Sequence, residues 1–389
     1  MTDSLMSTYA RLPVTFAKGE GALLWDENGK EYVDAISGIA VCSLGHANAD
    51  IAKAIADQAS TLVHTSNLYG IAHQQALGDE LTRLSGMDKA FFANSGAEAN
   101  EAAIKLARLH GNNQGIEEPQ IVVMDNSFHG RTMATLTATG NAKVHAGFAP
   151  LVQGFIRVPY GDLDAIKALA ERKDVVAVLV EPVQGEGGVN IPPADYLPGI
   201  RQLCDENNWL MMLDEIQTGM SRTGKLFAFQ HYGITPDVMT LAKALGNGMP
   251  IGACLANDKA AELFAPGNHG TTFGGTPLAC RVGLEVCRLM TEDKLWERAE
   301  ELGNAFVAGF ENALKDVDGI DNIRGQGLMI GIQLNKSCGP LVAQALEQGM
   351  LINVTADNVI RLLPPIVMTD QQVQELIEKL STLISDFLS

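Results

Sequence analysis

From about residue 50 the chain alternates short continuous apolar runs with stretches whose apolar residues recur every three or four positions. Continuous apolar runs are typical of strands buried on both faces, and the three-and-four spacing is typical of helices with one buried face. The alternation therefore predicts an α/β fold with a mainly parallel sheet covered by helices. The clearest predicted strands are 90–93, 121–124, 175–180, 210–213 and 238–241, and the clearest helices are 51–59 and 98–109.

The two ends of the chain have a different pattern. Near the start, apolar runs at 22–25 and 31–35 flank Asn28-Gly29, a dipeptide that favours a tight hairpin. Near the end, the apolar residues of 295–314 predict a long amphipathic helix.

A strand is predicted at 328–334, and a closing helix is predicted to begin after Thr369, which has capping-box spacing to Gln372. We therefore expect the two ends to form one smaller α+β domain and the middle to form a large α/β domain. The predicted boundaries are 1–45 and 283–389 for the smaller domain and 46–282 for the large one.

Charge and composition narrow the classes of function. The 389 residues include 28 Lys and Arg against 46 Asp and Glu, a net charge of −18. A chain this acidic, without a run of basic residues, is a poor candidate for binding nucleic acid or an anionic membrane surface. With 46% hydrophobic and 19% charged residues, it has the composition of a globular protein with a large core.

Targeting and metal signals are weak. Residues 1–16 have no continuous apolar core, and the longest apolar runs, such as 175–180, are far shorter than a membrane span. The six cysteines form no CxxC pair, and the eight histidines are scattered without an HExxH motif. We therefore expect a cytoplasmic protein with reduced cysteines and no metal site.

In open parallel sheets, ligands bind at the carboxyl ends of strands, and four loops there have unusual compositions. The first is 94–100, where small residues open a helix and would let backbone N–H groups approach an anion. Ser95 and Glu98 also have the spacing of an ordinary capping box, so both readings stay open. The second is 126–132, where Phe128 and Arg131 could contact a ring and a carboxylate, or could belong to an ordinary surface loop.

The third and fourth loops contain ionisable residues after apolar strands. Asp214 follows four apolar residues, so its carboxylate needs a partner: a core lysine or arginine, a hydrogen-bond donor, a metal or a protonated ring nitrogen. Lys243 lies in the apolar run 238–248 and either extends its amine outward or has a lowered pKa. A lysine of lowered pKa is a nucleophile toward aldehydes. Together the four loops suit one aldehyde cofactor that carries a phosphate and a ring nitrogen.

The chain resembles, over nearly its whole length, the class III aminotransferases of the pyridoxal-phosphate-dependent fold-type I group. Each motif is weak alone, but together and in this order they are specific. The motifs are 37–41 (SGIAV), 93–100 (ANSGAEAN), 127–132 (SFHGRT), 181–188 (EPVQGEGG), 214–219 (DEIQTG), 271–279 (TTFGGTPLA) and 361–365 (RLLPP).

The resemblance implies a pyridoxal 5'-phosphate site. Lys243 matches the lysine that binds the cofactor covalently and then moves the proton, and Asp214 matches the acid that pairs with the pyridine nitrogen. Thr272 matches a threonine that reaches the cofactor phosphate of the neighbouring subunit, so the resemblance also implies a homodimer with shared active sites. The implied cofactor-binding residues are Ser95, Gly96, Ala97, Phe128, Asp214, Glu215, Ile216, Gln217, Lys243 and Thr272.

The resemblance also implies substrate contacts. Arg131 and Thr271 match positions that contact the carboxylate end of the amino donor, and Arg361 matches an arginine that receives the α-carboxylate of glutamate. Glu186 matches an acid that pairs with this arginine when the other substrate is bound. The sequence departs from the family pattern at Thr276, where Asn is common, and at Cys42-Ser43, where Asn-Ala is common.

The implied reaction is exchange of the terminal amino group between N-acetyl-L-ornithine and 2-oxoglutarate, giving N-acetylglutamate 5-semialdehyde and glutamate in arginine biosynthesis. Other members of the family act on succinylornithine, succinyl-diaminopimelate, ornithine or 4-aminobutyrate, and the sequence separates these substrates poorly. Two further alternatives are a pyridoxal-phosphate aminomutase or racemase and a non-catalytic binding module. A non-catalytic binding module should have lost Lys243 or Asp214, and this chain has both.

Overall fold

The computed structural model describes residues 4–389. Its strands are β1 (Phe16–Glu20), β2 (Leu23–Asp26), β3 (Glu31–Asp34), β4 (Lys89–Ala93), β5 (Gln120–Met124), β6 (Phe155–Val158), β7 (Val175–Val180), β8 (Leu210–Asp214), β9 (Val238–Leu241), β10 (Gly252–Ala256), β11 (Ile320–Gln326), β12 (Met329–Leu334), β13 (Met350–Leu351), β14 (Asn353–Thr355) and β15 (Val359–Leu362).

The helices are α1 (Ser37–Ala40), α2 (Ala49–Ala59), α3 (Ala72–Ser85), α4 (Gly96–Asn113), α5 (Met133–Ala138), α6 (Ala142–His145), α7 (Leu163–Lys167), α8 (Tyr196–Asn207), α9 (Asp258–Ala261), α10 (Pro277–Glu292), α11 (Leu295–Ala313), α12 (Leu341–Glu347) and α13 (Asp370–Leu388). Short 3₁₀ turns cover Ala228–His231 and Lys243–Leu245.

The central sheet has seven strands in the order β4-β10-β9-β8-β7-β5-β6. Strands β9, β8, β7, β5 and β6 pair in parallel, and β10 is antiparallel to both of its neighbours. Strand β4 consequently runs in the same direction as the parallel strands, so its carboxyl end lies at the same edge of the sheet. The predicted α/β fold with a mainly parallel sheet is confirmed.

Both faces of this sheet are buried, as continuous apolar strands require. Along β5, Val122 and Met124 belong to one hydrophobic cluster, whereas Ile121 and Val123 belong to another on the opposite face. Helix α4 packs against β9 and β10, and α10 packs against α2 and α3. The periodicity of the predicted strands and helices thus reflects burial between two helical layers.

The remaining strands form two smaller four-stranded sheets, β1-β2-β3-β13 and β11-β12-β15-β14. The predicted hairpin is present as β2 and β3, and β13 joins β3 in parallel, which brings the two ends of the chain into one sheet. The predicted cap of α13 is also present, since Thr369 Oγ1 accepts from Gln372 N–H and Gln372 Oε1 accepts from Thr369 N–H. The boundaries proposed for the two domains stay a prediction.

Within residues 4–389, every helix is too short or too polar to cross a lipid bilayer.

Candidate active site

A cavity of about 420 Å³ opens at the carboxyl edge of the central sheet. Its walls come from the loops that follow β4, β5, β7, β8 and β9, as the rule for parallel sheets predicts. The volume falls within the usual range of small-molecule sites. The residues proposed from the sequence that line it are Ser95, Gly96, Ala97, Phe128, Arg131, Glu186, Asp214, Ile216, Gln217 and Lys243.

At one side of the cavity lies the first turn of α4. Ser95 Oγ accepts from Glu98 N–H at 3.3 Å, so the capping reading is confirmed. Glu98 reaches the N–H of Asn94, at 2.5 Å, and not that of Ser95. At Gly96 a Cβ atom would lie 2.7 Å from Ile216 Cδ1, so a larger residue here would force the Ile216 side chain to move. The free N–H groups of this turn, with the helix dipole, favour an anion at this wall of the cavity.

Asp214, the last residue of β8, is 4% exposed, and its partners are neither lysine nor arginine. Its Oδ2 accepts from Asn100 Nδ2 at 2.8 Å and lies 2.8 Å from His129 Nδ1. Its Oδ1 accepts from Ile216 N–H at 3.1 Å. Asn100 is itself fixed by Thr240 Oγ1, which donates to Asn100 Oδ1 at 2.8 Å. We call Asp214, Asn100, His129 and Thr240 the aspartate end of the cavity.

Sequence reasoning assigned no role to Asn100 or Thr240, and it noted His129 only as part of a loop. A signal existed for Asn100, because it is a polar residue on a buried face of α4 that is apolar apart from Asn100 and His110. Buried polar side chains need partners. Nothing in the sequence identified Asp214, 114 positions away, as that partner.

Lys243 begins the 3₁₀ turn after β9 and has a φ of 46°, in the left-handed region that side chains other than glycine rarely adopt. Its side chain lines the cavity. Burial lowers the pKa of its amine, and the Arg361 guanidinium lowers it further, while Glu186 and Asp214 oppose the shift. The lowered pKa favours the neutral, nucleophilic amine, which is the second of the two readings left open by the sequence.

Phe128 and Arg131 face the same cavity, and the Arg131 guanidinium lies 5.6 Å from the centre of the Phe128 ring. The Phe128 N–H donates to Glu181 Oε1 at 2.9 Å. Glu181 is 5% exposed and also accepts from Gly185 N–H at 3.3 Å. Burial raises the pKa of its carboxyl to about 7. Glu181 belongs to the 181–188 motif, which implies no role for it, and the structure adds it to the cavity wall.

Arg361 forms an ion pair with Glu186, which lines the cavity, with 2.6 Å between Arg361 Nη1 and Glu186 Oε1. Arg361 lies on β15, and its side chain is 1% exposed, whereas the Glu186 side chain is 37% exposed. A second contact, from Arg361 Nη2 to Asn353 Oδ1 at 2.7 Å, fixes the guanidinium. We call Arg361, Glu186 and Asn353 the arginine end of the cavity.

Four proposed residues do not line the cavity: Arg361, which contacts the lining residue Glu186, and Glu215, Thr271 and Thr272. Glu215 is fully buried in the core, where it accepts from the N–H groups of Ala228 and Phe229, both at 2.8 Å. Thr271 Oγ1 accepts from Asn94 Nδ2 at 3.2 Å, behind the cavity wall. Thr272 is exposed on the loop before α10. None of the last three residues lines the cavity of its own chain, and the roles that the resemblance implies for them stay predictions.

The protein-family model described as "Aminotransferase class-III" matches residues 6–384 of this chain. The chain belongs to the class III aminotransferase family. It is 57% identical over 385 residues to an acetylornithine aminotransferase from Nitrosomonas europaea, covering 99% of this chain and 98% of that protein.

Solved structures agree. An ornithine aminotransferase from Toxoplasma gondii superposes with a TM-score of 0.96 at 33% identity, covering 99% of this chain and 93% of that one. An acetylornithine aminotransferase from Elizabethkingia anophelis gives 0.88 at 37% identity, covering 98% and 96%. The chain is therefore a pyridoxal-phosphate-dependent transaminase.

The residues of the cavity fit this cofactor. The turn that begins α4 suits its phosphate, the buried Asp214 carboxylate suits a protonated ring nitrogen, and the Lys243 amine suits its aldehyde. Gln217 gives an independent indication, because its buried Oε1 has no hydrogen-bond partner within residues 4–389. An unpaired amide at a cavity wall is costly unless a ligand pairs with it. With the amide turned so that Nε2 faces the cavity, that NH2 group would donate to the phenolic oxygen of the cofactor.

Proposed function

We propose that this member of the family transfers the terminal amino group of N-acetyl-L-ornithine to 2-oxoglutarate, giving N-acetylglutamate 5-semialdehyde and glutamate in arginine biosynthesis. The observation that carries the proposal is the 57% identity, over 99% of the chain, to an acetylornithine aminotransferase. Relatives of the same name from Bordetella bronchiseptica and Methanothermobacter thermautotrophicus are 50% and 46% identical. A cytoplasmic location is part of the same proposal.

Pyridoxal phosphate, when bound, supplies an electron sink for the substrate carbanion. In this proposal Lys243 holds the cofactor and carries the proton between the substrate carbon and the cofactor. The Asp214 carboxylate, held by Asn100 Nδ2, the Ile216 N–H and His129 Nδ1, would pair with the ring nitrogen and make a positive charge favourable there. Phe128 and Gln217 line the cavity, so Phe128 would cover one face of the ring and Gln217 would contact its phenolic oxygen.

The arginine end suits two amino donors of different shape. When glutamate is the donor, Glu186 leaves Arg361, and the guanidinium receives the α-carboxylate bidentately. When N-acetylornithine is the donor, its terminal amine is the end that lies near Lys243, so its carboxylate lies further from Lys243. Arg131 is then the cation on the cavity wall that can receive this carboxylate. The Glu186–Arg361 pair then stays closed and neutralises Arg361. The exposure of Glu186 supports this role, since its carboxylate can move into water when it leaves Arg361.

We also propose that the chain forms a homodimer with shared active sites. Thr272 is exposed and outside its own cavity, so any cofactor contact that it makes must be with another copy. Exposed apolar side chains occur both on its own loop, at Phe273, and on the segment that contains Leu62, Val63 and Leu68. A mixture of Lys243→Ala and Thr272→Ala chains tests sharing, because mixed dimers should contain one intact site and regain activity. No recovery in mixtures shown by mass to contain heterodimers would count against sharing.

The substrate is tested by the visible absorption of the purified protein with bound cofactor, recorded before and after N-acetylornithine is added without an oxo acid. We expect the yellow colour to bleach and to return when 2-oxoglutarate is added. Bleaching with ornithine or 4-aminobutyrate but not with N-acetylornithine would overturn the substrate and leave the transaminase in place. Product formation without any 2-oxo acid would instead indicate an aminomutase.

A further inference from the structure

Strand β14 contacts both members of the ion pair at the arginine end. Asn353, the first residue of β14, lies directly opposite Arg361 in the antiparallel ladder of β14 and β15. Its Oδ1 accepts from Arg361 Nη2 at 2.7 Å. Thr355, two residues further along, lies on the same face of the strand, and its Oγ1 donates to the backbone carbonyl of Glu186. One short strand therefore holds the side chain of the arginine and the backbone of its partner.

The loop 184–190, which contains Glu186, has a fixed backbone. Two backbone hydrogen bonds of 3.0 Å between its first and last residues close the loop. The contact from Thr355 fixes the Glu186 carbonyl, and Arg324 Nε donates to the Val189 carbonyl at 2.8 Å. Arg324 Nη2 donates to the carbonyl of the preceding residue. A change at Glu186 is therefore restricted to its side chain, which is 37% exposed.

The Arg361 guanidinium has more donors than partners in the part of the chain that the structure describes. Its side chain is 1% exposed, with Nη1 paired to Glu186 and Nη2 to Asn353. Its buried Nε–H has no acceptor within residues 4–389. Because a buried donor without a partner is costly, this guanidinium suits a further acceptor, such as the carboxylate of a substrate.

The two partners of Arg361 differ in charge. The Glu186 carboxylate neutralises the guanidinium, whereas the Asn353 amide is a neutral acceptor that fixes its orientation and leaves its charge. When Glu186 moves away, Asn353 keeps the guanidinium in place, and the positive charge becomes available to a substrate carboxylate. A carboxylate at position 353 would instead keep Arg361 neutral whatever the position of Glu186.

We propose that Asn353 is a positioning residue that sets the specificity of the site, because it holds Arg361 for the α-carboxylate of glutamate without neutralising it. Thr355 and Arg324 serve the same arrangement, since they restrict the exchange to the Glu186 side chain. This inference rests on the proposed function, in which glutamate binds Arg361 and N-acetylornithine does not. The affinity for glutamate relative to N-acetylornithine therefore depends on the neutral oxygen at position 353.

Two substitutions test the charge and the contact separately, in the protein with bound cofactor. Asn353→Asp keeps an oxygen for Arg361 but adds a negative charge, so the Kd of glutamate should rise at least about 30-fold. Asn353→Ala removes the oxygen without adding a charge, so the rise should be about fivefold. The Kd of N-acetylornithine should change less than about twofold in both variants. The rate of single-turnover bleaching against donor concentration gives each Kd separately from the maximal rate, which should stay within about threefold.

Asn312→Asp, which is exposed on α11, is the control for the added charge and should leave both Kd values unchanged. A larger rise with alanine than with aspartate, or equal rises for both donors, would overturn the inference. If Asn353→Asp does not fold, Asn353→Ala decides, through a rise in Kd more than about twofold larger for glutamate than for N-acetylornithine.

Arg361→Lys, measured in the same way, separates this inference from the proposed function. A loss specific to glutamate in Arg361→Lys but not in Asn353→Asp would overturn the role of Asn353 and leave that of Arg361. The absence of such a loss in both variants would overturn the proposed role of Arg361, and the role of Asn353 with it.

Discussion

The two ends of the cavity hold their charges in different ways. At the aspartate end, the Asp214 carboxylate is almost fully buried and has three partners from three parts of the chain: Asn100, His129 and the Ile216 N–H. At the arginine end, the Arg361 guanidinium is as deeply buried, but its carboxylate partner, Glu186, is partly exposed.

The difference suits the proposed reaction. The cofactor ring is the same in both half-reactions, so the aspartate end benefits from one fixed arrangement. The substrates differ, so the arginine end needs a charge that can be exposed or neutralised. Releasing a partly exposed carboxylate into water costs little, whereas freeing a buried one would cost several kcal/mol. The following predictions test this contrast, from the largest expected effect to the smallest.

Lys243→Ala tests whether both ends serve one reaction centre. We expect turnover to fall by at least about 10³-fold in both half-reactions, since the amine that moves the proton is lost. Steady-state rates with N-acetylornithine and with glutamate measure this, and Lys379→Ala on the exposed face of α13 is the control. Turnover near the original rate would remove Lys243 from the mechanism.

Asp214→Asn tests the fixed end. The amide keeps the size of the side chain but removes the negative charge, so we expect both half-reactions to slow by about 10²-fold and to about the same degree. Single-turnover absorbance changes with each amino donor measure the two rates separately. A loss confined to one donor would contradict the idea that this end serves the cofactor.

Arg361→Lys tests the exchangeable end. Lysine keeps the charge but cannot make two parallel hydrogen bonds to a carboxylate, so kcat/KM for glutamate should fall by about 30-fold, or ~2 kcal/mol. The effect on N-acetylornithine should be several-fold smaller. Arg298→Lys, whose side chain is partly exposed on α11, is the control. Equal losses for both donors would refute the exchange.

Glu181→Gln tests how much a buried carboxyl at the cavity wall changes the free energy of unfolding. The folded-state pKa of Glu181 is raised from 4.5 to about 7, so the folded protein favours the protonated carboxyl. The contribution of the protonated carboxyl to the free energy of unfolding is complete below pH 4.5 and is lost as the pH rises through about 7. The loss in the free energy of unfolding is up to ~3 kcal/mol. The glutamine variant, which stays neutral, should become more stable than the original chain between pH 5 and 8.5.

Urea unfolding across this pH range measures the effect, with the exposed Glu378→Gln on α13 as the control. Parallel pH profiles for Glu181→Gln and the original chain would mean that the buried carboxyl ionises without cost.

Much of this fold was predictable from local patterns. Strands β7 and β9 have the predicted limits, because apolar runs buried on both faces leave little ambiguity about where they end. Strand β10 was not predicted, because its sequence, Gly-Ala-Cys-Leu-Ala, is mostly small residues that give no clear period. Its antiparallel direction is also a property of the assembled sheet, which no local pattern determines.

The residues of the site likewise divide into those that could be predicted from the sequence and those that could not. Asp214 and Lys243 could be singled out because a charge after an apolar strand is unusual in any sequence, and family motifs then supplied roles for their neighbours. The adjacent Asp214 and Glu215 nevertheless face opposite environments, the cavity and the core, because the chain turns directly after β8. That turn is not encoded in residue type, and so Glu215 was grouped with residues that line the cavity.

By itself, then, the sequence determined the alternation of the clearest strands and helices, the fold class and the loops that carry the chemistry. These follow from periodicity, capping and composition, which act over a few residues. Only the tertiary structure decided that Asn100 and His129 hold Asp214, that Glu186 faces Arg361, and that His46 pairs with Asp34. Such contacts depend on how separate loops meet at one edge of the sheet, and burial there makes each of them energetically large.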